Sequence, residues 1–219
     1  VYSTIINTLT SNGAKGVVAT IPSVTSIPYF TTVKWNVLPA EATSTNTTVL
    51  GLYQFLSVAT GGRISPLNTN AGTKNPVLIY DADLTDMSAT IQAYAAGSGD
   101  ATLMAYASTI GALYGKARHA TSSDLVVLTA SSVIGVEPNP ADPMANPFDV
   151  PGVTLPLINK YVLTANEKAK VASATASYNS SIRSIAASKD LAVADMNAIM
   201  NKLVNGLQIE TGQIYTANY

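Results

Sequence analysis

Cysteine is absent from the 219 residues, which excludes disulfides, thiolate nucleophiles and Cys-type zinc sites together. Histidine occurs once, at His119, so only one side chain has an unperturbed pKa near neutrality. Charge is also scarce. Twelve Lys and Arg against 13 Asp and Glu leave a net charge of −1, and charged residues make up 11% of the chain, against a usual share of about a quarter. Surface polarity therefore has to come mostly from Ser, Thr and Asn. No basic field exists to draw in phosphate backbones, and no Lys/Arg cluster to hold anionic lipid, so nucleic acid and lipid surfaces are poor partners. No apolar run approaches the ~18–20 residues needed to cross a bilayer. The chain opens on Val1 without a signal peptide, and it reads as a mature product or a fragment.

What is present is apolar: 47% of residues, enough for a substantial core. The length predicts one α/β domain, with insertions at about 23–74 and 135–160. Tyr2, Ile5, Ile6 and Leu9 recur at helical spacing, and Asn12-Gly13 stops them. No capping residue precedes Val1, which gives the impression of a helix, and a domain, whose beginning lies elsewhere. Gly16 to Ile21, ended by Pro22, predicts a buried strand, and helix followed by strand is the rhythm of a parallel sheet. Asn46 is placed to cap a helix whose stripe is Val49, Leu52, Tyr53 and Leu56, closed by Gly61-Gly62. Further strands are predicted at Val77–Tyr80, Leu125–Thr129 and Leu191–Ala194, and helices from Asp83 to Ala96 and from Asp100 to about Gly115. Six prolines between residues 135 and 157 predict a loop or lid outside the core. Thr164-Ala165-Asn166-Glu167 matches a capping box. Behind it Val171, Ala174, Tyr178, Ile182 and Ile185 form the apparent buried stripe of a helix ending near Lys189. Asp195 caps a last helix with Met196, Ile199, Met200 and Leu203 inward and Gly206 as its stop.

Two stretches resemble one family. The first is Gly13-Ala14-Lys15-Gly16-Val17-Val18-Ala19-Thr20-Ile21-Pro22-Ser23-Val24-Thr25-Ser26-Ile27-Pro28-Tyr29-Phe30. The second runs from Asp124-Leu125-Val126-Val127-Leu128-Thr129-Ala130-Ser131-Ser132 through Tyr161-Val162-Leu163-Thr164 to Leu191-Ala192-Val193-Ala194-Asp195. In that order they are similar to the central and later parts of SGNH (GDSL-type) hydrolases found as surface lipoproteins of Bacteroidetes-like bacteria. The resemblance implies a three-layer α/β/α, flavodoxin-like fold with a largely parallel sheet, ester hydrolysis through a serine, an exported location at the cell surface, outer membrane or periplasm, and no cofactor. It implies an ester or acylated small-molecule or glycan substrate. The family's Gly-Asp/Asn-Ser-Leu, oxyanion-hole Gly, Gly-x-Asn-Asp and Asp-x-x-His blocks do not occur here. By family order three of these precede Val1 and the last follows Tyr219, so no catalytic residue carries over. The partners implied are then the remainder of the same polypeptide or a cell-envelope complex, and the rival reading is a non-catalytic binding or structural component of such a complex.

The candidate chemistry inside the chain is thin. His119 lies beside Lys116 and Arg118, with Ser122, Ser123 and Asp124 following. Residues so close along a loop seldom converge as a triad, which favours an exposed or locally bonded loop histidine. Asp81, Asp83 and Asp86 alternate as Ca²⁺ ligands do, but the sixth position of the loop is Asp86 and the twelfth is Gln92, where the EF-type loop needs Gly and Glu. Helix capping by Asp83 is the simpler reading, and no metal site is expected. Thr25, Tyr29, Phe30 and Trp35 follow the first strand, where ligands sit in open α/β sheets. They are the candidate substrate-binding residues, to be weighed against a loop that merely tucks its aromatics onto the core. Asn46-Thr47-Thr48 and Asn179-Ser180-Ser181 match the glycosylation sequon, a match expected by chance in a bacterial chain.

Overall fold

The structure is a computed structural model, and it describes residues 1–41, 46–139 and 148–216. The helices, in order, are α1 (Tyr2–Leu9), α2 (Pro28–Thr31), α3 (Thr47–Ala59), α4 (Ser88–Ala96), α5 (Ala101–Ala105), α6 (Ala107–Tyr114), α7 (Ala165–Ser188) and α8 (Met196–Asn205). The strands are β1 (Val17–Ala19), β2 (Leu38–Pro39), β3 (Lys74–Asn75), β4 (Leu78–Tyr80), β5 (Ala117–His119), β6 (Leu125–Val126), β7 (Val162–Leu163), β8 (Ala192–Ala194), β9 (Leu207–Gln208) and β10 (Ile214–Tyr215). The fold is mixed α/β with short strands in small sheets. Among the described residues the strands pair two by two: β1 with β8 in parallel, and β2·β3, β4·β5, β6·β7 and β9·β10 antiparallel.

The chain divides into two compact units, Val1–Phe30 with Asn166–Tyr219, and Thr31–Ala165. The second, continuous unit holds most of the buried apolar residues. Tyr53 and Leu56 of α3, Leu78 and Ile79 of β4, Ile91 of α4 and Ile110 of α6 are all fully buried. Asn46 caps α3 as its position foretold, its Oδ1 accepting from the Val49 N–H at 3.1 Å. The helix expected from Asp83 starts instead at Ser88. Asp81 Oδ1 accepts the Asp83 N–H, and it is Asp86 whose Oδ1 accepts from the Ser88 N–H at 2.8 Å. A carboxylate two residues before the first turn does the work assigned to one five before it. Helices α4 and α6 pack closely because residue 111 is glycine: a Cβ there would lie 2.7 Å from the Ser88 carbonyl oxygen.

Two expectations in this unit are corrected. Residues 148–157, read as part of an external proline-rich lid, are core: Phe148, Val150, Thr154 and Leu157 are buried. The prolines prevent regular structure without preventing burial, because partners elsewhere satisfy the backbone. Leu157 exchanges backbone hydrogen bonds with β4, the Tyr53 hydroxyl donates to the Val153 carbonyl at 2.6 Å, and the Tyr114 hydroxyl donates to that of Thr154. Pro140, Pro143 and Pro147 lie outside the described residues. The strand expected over Leu125–Thr129 stops at Val126, and the chain turns into a 3-10 helix over Leu128–Ser132.

The discontinuous unit is built differently. Parallel strands β1 and β8 run in the register Val17↔Ala192, Val18↔Val193 and Ala19↔Ala194. The strands expected near Gly16–Ile21 and Leu191–Ala194 are therefore both present, as a parallel pair. Their burial is not: Val17 is 69% exposed and Val193 37%. Helix α1 buries only Ile6, leaving Ile5 and Leu9 at 51% and 67% exposure. Apolar character is there, but the described residues do not cover it.

Candidate functional site

Of the apolar stripe expected along α7, Ile182 alone is buried. Tyr178 is 61% exposed, and the inward positions are Asn179, Ile182 and Ala186. The reason is Asn179. Its Oδ1 accepts the Ile21 N–H at 2.7 Å and its Nδ2 donates to the Ile21 carbonyl at 2.8 Å. An amide side chain offers one donor and one acceptor in the geometry a peptide group needs. The backbone just past β1 thus gains the pairing that a neighbouring strand would give it.

The same point is held from the other strand. Asp195, the residue after β8, caps α8 through the Ala198 N–H at 3.1 Å, as its position foretold. Its Oδ1 also accepts from the Thr20 hydroxyl at 2.9 Å, and its Oδ2 meets Arg183 Nη2 at 2.9 Å. The Ala198 N–H first, then Arg183 and Thr20, hold the Asp195 carboxyl below the usual carboxylate range. Thr20 Oγ1 in turn accepts the Asn197 N–H at 3.0 Å, and Asn197 Nδ2 donates to the Ile21 carbonyl at 3.1 Å. Five polar side chains, Thr20, Asn179, Arg183, Asp195 and Asn197, lock together the carboxyl ends of both parallel strands.

Beyond these ends lies a cleft of about 370 Å³. The 3-10 turn after β1 supplies Ser23, Val24 and Thr25; α7 supplies Val171, Ala172, Thr175 and Ala176; α8 supplies Asn197 and Asn201. Asn179 and Arg183 also line it. The Ser23 and Thr25 hydroxyls stand 3.0 Å apart as a hydrogen-bonded pair. Chemically the cleft offers hydroxyls and carboxamides beside a few small apolar groups. Among the described residues lining it Arg183 is the one cation, and it is paired with Asp195.

Of the four substrate-binding residues expected from sequence, the structure brings only Thr25 to this cleft. Tyr29 and Phe30 sit in α2, edge to face with ring centres 5.0 Å apart, and are not among the lining residues. Trp35 belongs to the other unit, where its carbonyl accepts the Val77 N–H at 2.9 Å. Asn179, Arg183, Asn197 and Asn201 were missed. One signal was legible, namely a polar residue recurring at helical spacing with Ile182 and Ala186.

His119 is a locally bonded side chain of the second unit. Nε2 faces the Ser65 backbone carbonyl at 2.9 Å, the ring stacks on Tyr53 at 5.6 Å, and buried Nδ1 has no hydrogen bond of good geometry, though the Pro76 carbonyl is near. Burial pulls its pKa down against the effect of those carbonyls. Among the described residues no carboxylate or serine hydroxyl engages it. Asp124, near it in sequence, is occupied by Arg118: Nη1 and Nη2 reach its two oxygens at 2.7 and 2.8 Å, while Nε reaches Asp81 at 2.7 Å. Thr121 and the Ala165 N–H complete the set of donors to Asp124. This buried cluster ties the residue after β4, strand β5 and the backbone at Ala165 together within the continuous unit, which is a structural task. Among the described residues no group of three or more His, Asp or Glu is arranged to hold a metal ion. Asn179, within the second sequon, is buried and engaged with Ile21.

No family model, no curated protein and no solved structure matches the chain.

Proposed function

We propose that the chain is the scaffold and pocket-wall portion of an SGNH/GDSL-type ester hydrolase exported to the bacterial cell surface, with the nucleophile and its base on polypeptide outside Val1–Tyr219. The observation that carries this reading is the position of the cleft. It opens directly past the carboxyl ends of a parallel strand pair, where ligands bind in open α/β sheets. The residues of the Gly13–Phe30 resemblance form one strand of that pair and one wall of that cleft. In this reading the reaction is acyl transfer to a serine hydroxyl, followed by attack of water on the acyl enzyme. Asn179, Asp195 and Asn197 fix the backbone that shapes the pocket, and Ser23, Thr25 and Asn201 face the ligand. The full three-layer α/β/α sandwich with a largely parallel sheet belongs to the same proposal. Its support is that a parallel sheet is ordinarily covered on both faces, whereas β1 and β8 show Val17 and Val193 to solvent.

A second reading, a non-catalytic binding component of an envelope complex, is favoured by the engagement of His119 and Asp124 in structural bonding. Hydrolysis of p-nitrophenyl butyrate separates the two. The 219-residue chain alone is expected to leave the uncatalysed rate unchanged, and the complete gene product to accelerate it. If the complete product is equally inert, the binding component stands instead.

A further inference from the structure

We propose that Asn12 is a self-modifying site, which the folded chain converts to aspartate and isoaspartate without an enzyme, with water as the only co-reactant. The pair Asn12-Gly13 lies between the end of α1 and the start of β1, and both residues are exposed. The hydroxyls beside them are committed to α1, Thr10 Oγ1 donating to the Ile6 carbonyl and Ser11 Oγ to that of Thr8. The Asn12 carboxamide has no hydrogen-bond partner among the described residues, so nothing fixes its rotamer. A side-chain amide free to rotate can bring its carbon onto the backbone nitrogen of the next residue. What ordinarily crowds that approach is the Cβ of the following residue. Residue 13 has none, its φ is +75°, and the place a Cβ would take has no neighbour within 4 Å.

The chemistry is an intramolecular amide exchange. The Gly13 nitrogen gives its proton to hydroxide and attacks Asn12 Cγ. The N–Cγ bond forms, the Cγ–Nδ2 bond breaks, and Nδ2 takes a proton from water and leaves as ammonia, which regenerates the hydroxide. Water then opens the five-membered imide. Attack at Cγ restores the normal backbone as aspartate, and attack at the Asn12 main-chain carbonyl carbon reroutes the backbone through Cγ as isoaspartate. One hydrogen bond restrains the first step, from the Gly13 N–H to the Thr10 carbonyl at 3.0 Å. The imide abolishes it, because its nitrogen carries no hydrogen, and the turn that follows α1 is released. Either product adds one negative charge to a chain that starts at −1. Other asparagines are better protected. Asn179 is buried, and its carboxamide is bonded at both ends to Ile21. Asn205-Gly206 is the other Asn-Gly pair of the sequence, but Ile214 Cγ2 stands 3.1 Å from where a Cβ on Gly206 would lie.

The test is incubation of the folded 219-residue chain in mildly alkaline buffer beside a urea-unfolded sample, read by mass spectrometry of tryptic peptides. Cleavage after Lys15 and Lys202 puts Asn12 and Asn205 in separate peptides, so the two Asn-Gly pairs are read apart. The peptide ending at Lys15 is expected to gain one mass unit and to become a substrate for isoaspartyl methyltransferase. Its conversion in the folded chain should trail that in the unfolded chain by no more than about tenfold, the worth of roughly one hydrogen bond. Asn12→Gln should abolish the gain and leave the melting temperature unchanged, because the longer side chain closes its ring far more slowly and the position is exposed. A folded chain that keeps its mass while the unfolded chain converts would overturn the proposal. So would a gain that persists in Asn12→Gln, which would place the reaction at Asn7 of the same peptide.

Discussion

Replacing Asn179 with leucine tests the internal logic of the discontinuous unit. By hydropathy alone the change should be favourable, because the position is buried and leucine prefers both helix and core. The hydrogen bonds say otherwise. The Ile21 N–H has Asn179 Oδ1 as its partner at 2.7 Å, and leucine leaves that donor unpaired in a part-buried place. A buried donor without a partner costs about 1–3 kcal/mol. The Ile21 carbonyl loses one of two donors and keeps Asn197, a loss of about 0.5–1 kcal/mol. Against these, the added apolar burial returns about 1 kcal/mol. The balance is a destabilisation of about 2 kcal/mol. Urea unfolding followed by far-UV circular dichroism measures it, with hydrogen exchange at the Thr20 and Ala192 amides reporting the strand pair directly. The control is Tyr178→Ala, at an exposed position, which should stay within about 0.5 kcal/mol of the parent. An Asn179→Leu protein as stable as the parent, with Tyr178→Ala the more damaging change, would refute the placement of α7.

Asp124→Asn leaves Arg118 facing one buried carboxylate in place of two, and removing one partner of a buried pair costs about 3–5 kcal/mol; fluorescence of Trp35, which lies in the same unit, should show the loss in urea. Burial pushes the Asp124 carboxyl up, but the Arg118 and Thr121 hydrogen bonds outweigh it and bring the pKa down to about 2. A pKa depressed on folding contributes stability that is complete above the ordinary 3.8 and fades as pH falls toward 2, so the parent should weaken across that window and Asp124→Asn should not. His119, lowered first by burial, binds its proton more readily when unfolded; stability should be complete above about 6.5 and decline as pH falls below it, a slope that His119→Asn flattens. Leu9 and Val17 are exposed apolar residues of the discontinuous unit, and the 219-residue chain alone should bind 8-anilinonaphthalene-1-sulfonate and self-associate. Leu9→Gln with Val17→Thr should reduce both, seen by light scattering, without lowering the melting temperature.

The parts of this fold that could be read from sequence are those fixed by local chemistry. Asn46 and Asp195 announce α3 and α8 because a short polar side chain before an apolar run has one favourable use, the cap. Glycines 61, 62 and 206 stop helices because they adopt positive φ. Strand centres at Ile79 and Val193 were legible from short apolar runs. Long-range pairing decided the rest. Nothing near Asn179 says that its amide will meet a backbone 158 residues away, and without that partner Tyr178 looks like the better core residue. The proline count marked residues 148–157 as irregular, which they are. It could not show that two tyrosine hydroxyls and β4 would satisfy their carbonyls and bury them. The Asp81–Arg118–Asp124 cluster escaped notice because its members are scattered along the chain and each has an ordinary surface reading. At the cleft only Thr25 was anticipated, by its place after β1; Asn179, Asn197 and Asn201 lie on α7 and α8, whose bonds to the chain after β1 are long-range.

The claim on which this account rests is that the residues from Val1 to Tyr219 wall a pocket and do not attack an ester. Labelling the complete gene product with a fluorophosphonate, followed by mass spectrometry of the tagged peptide, examines it directly. The label is expected on a serine outside this stretch. A label on any serine within it, Ser23 of the cleft above all, would contradict the account.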